Sequence, residues 1–489
     1  MRQSNVDRNM TTIVWFRQDL RTRDNPALSA AAARGRVIPL FILDTAKSGS
    51  RWQLGGASRW WLHHSLATLR SNLGNLVLLR GDPHELLAPI AKKLGASAVY
   101  WNRCYEPFAI ARDTELKASL LKLGVDVQSF SGGLLHEPWE VTTGKGGPFK
   151  VYTPYWRASL AKSVVSPLPK VVLPEDKLAT SGDRLEDWDL RPIKPNWAEG
   201  WEKLWTPGES GALARLDAFL KKDLSGYREC RERPDLPGTS RLSPHLHWGE
   251  ISPRQIWARL SLAAEEPRKR DGANKFLSEI GWREFAYHLI YHFPSLPERN
   301  WRQAFDAYPW RDSAADLKSW QQGRTGFPLV DAGMRELWQT GWMHNRVRMI
   351  TASFLVKHLR IDWRLGEAWF WDTLLDADLA NNAAGWQWVA GSGADASPYF
   401  RIFSPIAQGQ KFDPNGDYVR RWCPELAGLP NEAIHAPFRA SPETLSRAGV
   451  ILGRTYSLPI ADHDRARLAA LDGYQKVRAA RTEDRPGDT

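Results

Sequence analysis

Cysteine is scarce in this sequence, and its placement excludes two classes of stabilised site. The three cysteines, Cys104, Cys230 and Cys423, are far apart and odd in number, so they build neither a disulfide framework nor a zinc site. The histidines of His63-His64 and His245-Leu246-His247 lack carboxylate or thiolate partners at ligand spacing. We therefore expect structural thiols and no metal site.

Long apolar runs are also absent. No stretch of the sequence approaches the ~20 apolar residues that cross a bilayer, and the N-terminus lacks a basic segment followed by an apolar one. We expect a cytoplasmic protein with no segment that enters a membrane. The first apolar run opens just after Met10, so either Met1 or Met10 serves as the start.

The first predicted helix lacks the Gly-x-Gly-x-x-Gly motif of dinucleotide-binding folds. The turn before it reads Arg17-Gln18-Asp19-Leu20-Arg21 instead. Short apolar runs nevertheless alternate with helix-compatible stretches, a pattern typical of a parallel α/β sheet. Five such runs are predicted as strands: Ile13 to Phe16, Val37 to Leu43, Leu76 to Leu79, Ala98 to Trp101 and Val125 to Phe130.

These patterns predict an α/β, Rossmann-like N-terminal domain with a parallel sheet over residues 11–138. Residues 139–208 are rich in glycine and proline, which is typical of a linker. Helical periodicity dominates residues 209–475, for example at Val347, Ile350 and Phe354. That part is predicted to be a mostly α-helical domain, followed by a polar tail at 476–489.

Tryptophan and positive charge are abundant. The chain has 25 tryptophans, and its formal net charge is +11. So many large indoles indicate roles beyond filling space. A positive field attracts phosphate-bearing partners, so nucleic acid or an acidic membrane is the expected class of partner.

A segment rich in hydroxyls, Gly238-Thr239-Ser240-Arg241-Leu242-Ser243-Pro244, precedes a predicted helix. Hydroxyls and free backbone N–H groups at such a turn can hold a diphosphate. An ordinary helix cap has the same composition. The segment alone therefore leaves both interpretations open.

Four longer motifs resemble the photolyase/cryptochrome family, closest to the cyclobutane pyrimidine dimer (CPD) DNA photolyases. The resemblance runs from Trp15-Phe16-Arg17 to about Tyr474. It implies an α/β antenna domain and a helical domain that binds FAD. The motifs are Glu279-Ile280-Gly281-Trp282-Arg283-Glu284-Phe285, Thr340-Gly341-Trp342-Met343-His344-Asn345-Arg346-Val347-Arg348-Met349, Asp376-Ala377-Asp378-Leu379-Ala380-Asn381-Asn382 and Gly385-Trp386-Gln387-Trp388.

The resemblance implies a FAD site built from several segments. Asp376 and Asp378 resemble the acidic pair beside the flavin ring, with Arg348 as counter-ion, and an ion pair there would satisfy a buried carboxylate. Asn382 resembles the residue that faces the redox-active ring nitrogen, and its neutral amide favours the repair branch. The remaining cofactor-binding residues are Tyr227, Thr239, Ser240, Arg241, Leu242, Ser243, Arg283 and Ala377.

Three tryptophans, Trp386, Trp363 and Trp310, match the family's electron-transfer chain from the flavin to the surface. Trp320 also has a counterpart in the family, and we assign it to packing. For any single tryptophan the core is the commoner place. The three positions together indicate electron transfer.

The resemblance also implies UV-damaged DNA as the partner of a monomeric enzyme, with the dimer flipped out of the duplex. The expected lesion pocket has two indoles, a carboxyl, an amide and a thioether, and the phosphate contacts are arginines. The pocket residues are Glu279, Trp282, Asn345, Met349 and Trp388, and the arginines are Arg231, Arg346 and Arg401.

Two alternatives to a CPD photolyase are a cryptochrome-type blue-light photoreceptor and a (6-4) photolyase. Plant-type photoreceptors carry Asp at the position of Asn382, and (6-4) enzymes place two histidines at the positions of Asn345 and Met349. An amide and a thioether do not titrate near neutral pH as imidazole does. We therefore expect repair of cyclobutane dimers.

The antenna chromophore is the least constrained cofactor. Folate-binding relatives carry Asn-Glu where this chain has Phe108-Ala109, and that pair cannot make the same polar contacts. A deazaflavin of the 8-HDF type is favoured. Folate (MTHF) bound in another mode and FMN are the alternatives.

Overall fold

Residues 10–45, 52–174, 182–395 and 400–483 are described by a computed structural model of the chain. The chain divides into two units. Unit 1 comprises Met1–Ser225, Ser240–Pro294 and Leu375–Asp378, and unit 2 comprises Gly226–Thr239, Ser295–Leu374 and Leu379–Thr489. Within the described residues no helix is long and apolar enough to span a membrane.

Unit 1 contains a five-stranded parallel sheet. Its strand order is β3-β2-β1-β4-β5, so the order reverses between β1 and β4. Ile13 of β1 pairs with Ile38 on one side and with Val99 on the other. The strands are β1 (Thr11–Phe16), β2 (Arg36–Asp44), β3 (Val77–Gly81), β4 (Ala98–Asn102) and β5 (Asp126–Phe130).

All five predicted strands are confirmed, with ends shifted by at most two residues. Both faces of a parallel sheet are covered by other elements, so its strands are buried along their whole length. Continuous apolar runs meet that requirement. Ile13, Trp15 and Ile38 are almost fully buried in one core cluster. The predicted fold class, an α/β N-terminal part followed by a mostly helical part, is therefore confirmed.

Seven α-helices belong to the described residues of the first part of the chain. Several begin with a polar cap followed by proline, as at Asn25-Pro26 and Asp82-Pro83, where the cap side chain accepts a backbone N–H. They are α1 (Pro26–Arg34), α2 (Gly56–Leu73), α3 (Pro83–Lys93), α4 (Pro107–Lys122), α5 (Tyr152–Leu160), α6 (Trp201–Leu204) and α7 (Glu209–Lys222). Helices α1, α3 and α4 pack against the sheet.

The rest of the described chain is helical. Ser252 and Gln255 form a capping box at the start of α10. The helices are α8 (Tyr227–Cys230), α9 (Ser243–His247), α10 (Pro253–Ala263), α11 (Pro267–His292), α12 (Ala314–Gln321), α13 (Pro328–Thr340), α14 (Asn345–Ser353), α15 (Trp363–Thr373), α16 (Leu379–Ala390), α17 (Pro405–Phe412), α18 (Asp417–Trp422), α19 (Asn431–Ile434), α20 (Pro442–Arg447) and α21 (His463–Glu483).

Two segments differ from the sequence patterns. Helical periodicity extends through Phe354, but α14 ends at Ser353 and a π-helical turn, Phe354–His358, follows. The wider turn buries all five of its consecutive residues. Helix α21 runs to Glu483 and buries Val477, so the first residues of the predicted polar tail at 476–489 are helical.

Candidate active site

The hydroxyl-rich segment forms a tight turn before helix α9. Arg241 has a φ of 50°, and the backbone N–H of Leu242 donates to Ser240 Oγ at 3.3 Å. Ser243 is exposed at the start of α9, and no side chain caps this helix. The capping alternative is therefore disfavoured, and the hydroxyls suit a diphosphate chemically. Tyr227 and Thr239 belong to unit 2, and their part in this set stays a prediction.

Helix α11 carries Arg283 and Tyr287 one turn apart. The Arg283 guanidinium lies 4.7 Å from the Tyr287 ring centroid and donates through Nη1 to the carbonyl of Gly133 at 2.9 Å. Positions i and i+4 share one helix face. The face that presents Arg283 therefore presents Tyr287 as well.

Asp378 is the carboxylate on which this face converges. The Tyr287 hydroxyl donates to Asp378 Oδ2, and His247 Nδ1 lies 3.9 Å from the same oxygen. Burial alone would raise the pKa of Asp378, but His247 and the charge of Arg283 outweigh it and hold the pKa below its usual range. We call these four residues the Asp378 cluster. The sequence reasoning missed Tyr287 and His247.

Glu284, next to Arg283, is a second buried carboxylate of unit 1. It accepts the backbone N–H of Leu135 at 2.9 Å and is 1% exposed. Burial raises its pKa to about 7, although Arg283 and the backbone N–H groups oppose the rise. Its protonation therefore changes near neutral pH.

The other members of the predicted acidic site lie in different units. Asp376 and Ala377 are buried in unit 1. Arg348 lies in unit 2 and donates through Nε to the carbonyl of Met343 at 2.8 Å. The proposed ion pair between Arg348 and the acidic residues stays a prediction.

Asn382 projects from helix α16 with its amide orientation fixed. Its Nδ2 donates to the backbone carbonyl of Glu367 at 3.0 Å. A carbonyl can only accept, so the amide must present its nitrogen there. The Oδ1 atom is left as an acceptor, and an acceptor suits the N–H of a reduced flavin ring. Unit 1 thus offers hydroxyls, a guanidinium and carboxylates, and unit 2 offers this amide. Each of these groups taken by itself suits FAD in chemistry.

The three chain tryptophans all lie in unit 2. Trp386 and Trp363 are buried, and Trp363 Nε1 donates to Asn300 Oδ1 at 2.9 Å. Trp310 is half-buried, and its ring centroid lies 4.5 Å from that of Tyr308. Two are thus enclosed and the third reaches solvent.

The packing around Trp386 is tight. Trp320 is fully buried, and its ring centroid lies 6.1 Å from that of Trp386. Phe370 approaches to 5.0 Å. A Cβ placed on Gly366 would lie 2.1 Å from the Trp386 ring. Only glycine at position 366 therefore lets α15 approach this indole.

In unit 1, Trp282 and Glu279 stand on helix α11. The Trp282 ring stacks on Tyr152, with centroids 3.7 Å apart and planes 10° apart, while 36% of Trp282 stays exposed. Tyr152 also donates its hydroxyl to the carbonyl of Ser278 at 2.6 Å. Glu279 pairs with Lys275 Nζ at 2.7 Å. Tyr152 covers one face of Trp282, and the exposed fraction can receive a base.

The remaining predicted lesion residues lie in unit 2. Asn345 and Met349 are one turn apart on α14, with Asn345 Nδ2 4.0 Å from Met349 Sδ. Asn345 is exposed, and Met349 and Trp388 are half-buried. All three have surface accessible to a ligand.

The three predicted phosphate-contacting arginines differ in their surroundings. Arg231 and Arg346 both contact the carboxylate of Glu232. Arg401 is exposed and makes no ion pair with the described residues. Sequence reasoning missed Glu232, which directly follows Arg231.

Unit 1 also holds the region expected to bind the antenna chromophore. At the carboxyl ends of β1 and β4, a pocket of about 20 Å³ is lined by Asp19 and Asn102, and also by Arg283, Tyr287 and His247 of the Asp378 cluster. Asn102 Nδ2 donates to Asp19 at 2.6 Å and to Asn25 at 2.8 Å. Phe108 is exposed and Ala109 is buried. A larger cavity of about 290 Å³ lies beside α2, lined by Trp60, His63, Glu186, Asp189, Arg191 and Asn196 among others. Within the described residues no group of three or more His, Cys, Asp or Glu could hold a metal ion.

The sequence and structure are similar to those of known proteins. Residues 12–174 match the family described as DNA photolyase, and residues 276–476 match the FAD binding domain of DNA photolyase. The chain is 53% identical to a deoxyribodipyrimidine photo-lyase of Agrobacterium fabrum, over 95% of this chain and 98% of that protein. It is 40% identical to cryptochrome-2 of Arabidopsis thaliana, over 96% of this chain and 79% of that protein.

A solved structure is similar as well. The crystal structure of a bacterial class III photolyase from Agrobacterium tumefaciens superposes with a TM-score of 0.92 at 51% identity. The match covers 97% of this chain and 100% of that one.

Proposed function

The chain belongs to the photolyase/cryptochrome family, and on that premise we infer that it is a deoxyribodipyrimidine photo-lyase. It binds FAD and acts on DNA that contains pyrimidine dimers. When reduced and excited by light, FAD supplies the single electron that splits the cyclobutane ring. The protein binds the flavin and the lesion and keeps both in a fixed orientation.

The observation that carries the repair function is the orientation of Asn382. Its Nδ2 is held by the Glu367 carbonyl, so Oδ1 accepts a hydrogen bond from a flavin that carries a proton on the facing ring nitrogen. That proton is present in the fully reduced state that repair requires. An Asp at this position, as in plant-type photoreceptors, would favour a different redox state. The photoreceptor alternative is therefore disfavoured.

For the lesion, we assign stacking to Trp282 and Trp388 and hydrogen bonding to Glu279 and Asn345. Tyr152 holds the Trp282 plane, which reduces the entropy lost when a base stacks on it. The Glu279 carboxylate accepts from an imide N–H of the dimer. Met349 contacts the apolar side.

The type of lesion that the enzyme repairs tests the proposed function. Under blue light the reduced enzyme should restore cyclobutane thymine dimers in an oligonucleotide and leave (6-4) products intact, as followed by chromatography. Glu279→Ala should lower the repair yield and retain FAD. Lys275→Met is the matched control, because it removes the ion pair at 2.7 Å and keeps the carboxylate. Light-dependent loss of (6-4) products without dimer repair would contradict the assignment.

The tryptophan chain has a separate test. Trp386→Phe should block light-driven reduction of oxidised FAD and leave repair largely intact once the flavin has been reduced chemically. Trp320→Phe, a change in the indole that neighbours Trp386 at 6.1 Å, is the control and should photoreduce. Normal photoreduction in Trp386→Phe would refute the chain.

We propose that the second chromophore binds unit 1 and that it is a deazaflavin, with folate and FMN as alternatives. The exposed Phe108 and buried Ala109 cannot make the polar contacts of an Asn-Glu pair. The cavity of about 290 Å³ beside α2 is larger than the pocket of about 20 Å³ at the carboxyl ends of β1 and β4. Mass spectrometry of the chromophores released from the purified protein identifies the occupant.

A cytoplasmic location and a monomeric state complete the proposal. Light scattering coupled to size-exclusion chromatography tests the second. A dimer mass would refute it.

A further inference from the structure

Glu232 stands between two arginines in unit 2. Its Oε1 contacts Nη1 of Arg231, and its Oε2 contacts both Nε and Nη2 of Arg346. The three side chains are only partly accessible, with exposures of 13% for Arg231, 25% for Glu232 and 18% for Arg346. One carboxylate thus bridges two guanidinium groups that solvent still reaches.

Arg346 is restrained from a second direction. Its guanidinium carbon lies 4.5 Å from the centroid of the Phe412 ring, and stacking of this kind fixes the guanidinium plane. Arg346 contacts the Glu232 carboxylate through its Nε and Nη2 atoms. Because a guanidinium has five N–H donors, the Nη1 edge can still donate to another anion.

We propose that Glu232 is a positioning residue that makes DNA affinity depend more on the lesion and less on charge. The proposal rests on the proposed role of Arg231 and Arg346 as phosphate contacts. Glu232 holds both guanidinium groups in advance, leaves the Nη1 edge of Arg346 for a phosphate, and at the same time cancels one of their two positive charges.

Charge cancellation mainly affects the complex with undamaged DNA, and pre-ordering of the arginines mainly affects the complex with the lesion. Sequence-independent attraction to duplex DNA depends on the number of phosphates neutralised, so one charge fewer weakens binding to undamaged DNA. A specifically bound lesion fixes the backbone relative to the protein, and pre-ordered arginines then lose less side-chain entropy. The ratio of the two affinities rises in consequence, without any contact between Glu232 and a base.

Glu232→Gln tests the proposal with dissociation constants for an undamaged duplex and for the same duplex with one thymine dimer, over a range of salt. The variant should bind undamaged DNA more tightly, with a salt slope steeper by up to about 0.9. The ratio of the dissociation constant for undamaged DNA to that for damaged DNA should fall about fivefold, since arginine side chains that are freed must be ordered again on binding.

Two further variants separate position from charge. Glu229→Gln removes the same charge from an exposed residue of the same segment and should leave the affinity ratio unchanged. Glu232→Asp keeps the charge on a shorter side chain and should lower the ratio without steepening the salt slope. FAD absorbance and thermal unfolding confirm that each variant is folded.

The outcomes are distinct. An affinity ratio in Glu232→Gln equal to that in Glu229→Gln overturns the positioning role. If Arg346→Gln leaves both affinities unchanged, the phosphate contact in the proposed function is wrong instead.

Discussion

Two clusters in this protein pair a carboxylate with arginine, and they differ in access to solvent. In the Asp378 cluster of unit 1, Asp378 is 6% exposed and lies among Arg283, Tyr287 and His247. In unit 2, the side chain of Glu232 is 25% exposed between Arg231 and Arg346. Both clusters place a carboxylate near arginine side chains, but water reaches Glu232 much more than Asp378.

The difference determines what each carboxylate can do. Removing one partner of a buried pair leaves an uncompensated charge, so such a pair is effectively permanent. A pair that water reaches contributes little to folding, and its arginines can also donate to a phosphate. The buried cluster therefore fixes a charge, whereas the accessible one leaves donors that the proposed DNA contact would use.

The largest effect is expected when the buried cluster is broken. Asp378→Asn removes the buried carboxylate that accepts from Tyr287 and faces the charge of Arg283, and it should lower the free energy of unfolding by about 3–5 kcal/mol, with loss of bound FAD. Because the pKa of Asp378 lies below its usual range, its stabilisation is complete above about pH 4 and is lost only as pH falls further. Urea unfolding at pH 7 and flavin absorbance per protein measure both effects.

Tyr287→Phe is the matched control, because it removes one hydrogen bond and keeps the charge. It should cost roughly 1.5–3 kcal/mol. If Asp378→Asn is no more destabilising than Tyr287→Phe, the carboxylate charge is not what holds the cluster together.

A pH dependence near neutrality is expected from Glu284. Its pKa is about 7 in the folded protein and about 4.3 in an unfolded chain, so the unfolded state loses its proton first as pH rises. The stability contribution is complete below about pH 4.3 and is lost up to about pH 7. Relative to the wild type, Glu284→Gln should gain roughly 2–3 kcal/mol between pH 4.5 and pH 7.5.

Thermal or urea unfolding of both proteins at these two pH values gives the comparison. Glu140→Gln, at an exposed carboxylate of unit 1, is the control and should show no such change. A constant difference between wild type and Glu284→Gln at all pH values would show that folding does not raise the pKa of Glu284.

The smallest effect on folding and a clear effect on binding are expected from the accessible arginines. Replacing Arg231, Arg346 and Arg401 by Gln should lower the slope of log K against log salt by about 2.7, roughly 0.9 per contact. Affinities for damaged and undamaged DNA should both fall, and the unfolding free energy should change little. Three other exposed arginines serve as the charge control: Arg259, Arg268 and Arg270.

Equal slopes in the triple variant and in the charge control would mean that the DNA binds elsewhere. A large loss of stability in the triple variant would contradict the view that accessible ion pairs contribute little to folding.

Elements with a local signal can be predicted from the sequence. The five strands are readable because each is a short apolar run, and periodicity places Arg283 and Tyr287 on one face of α11. The family motifs give the positions of Asp378, Asn382 and the tryptophans. Each of these signals lies within a few residues of the feature it predicts.

The tertiary structure alone decided which side chains meet. Tyr287 and Asp378 are 91 residues apart, and Glu232 and Arg346 are 114 apart. Tyr152, in the segment predicted as a linker, stacks on Trp282. No local pattern records such partners, because burial and charge pairing arise only when distant segments pack together. That packing also decides whether a carboxylate near arginine is buried or accessible, since it determines how much water reaches each group.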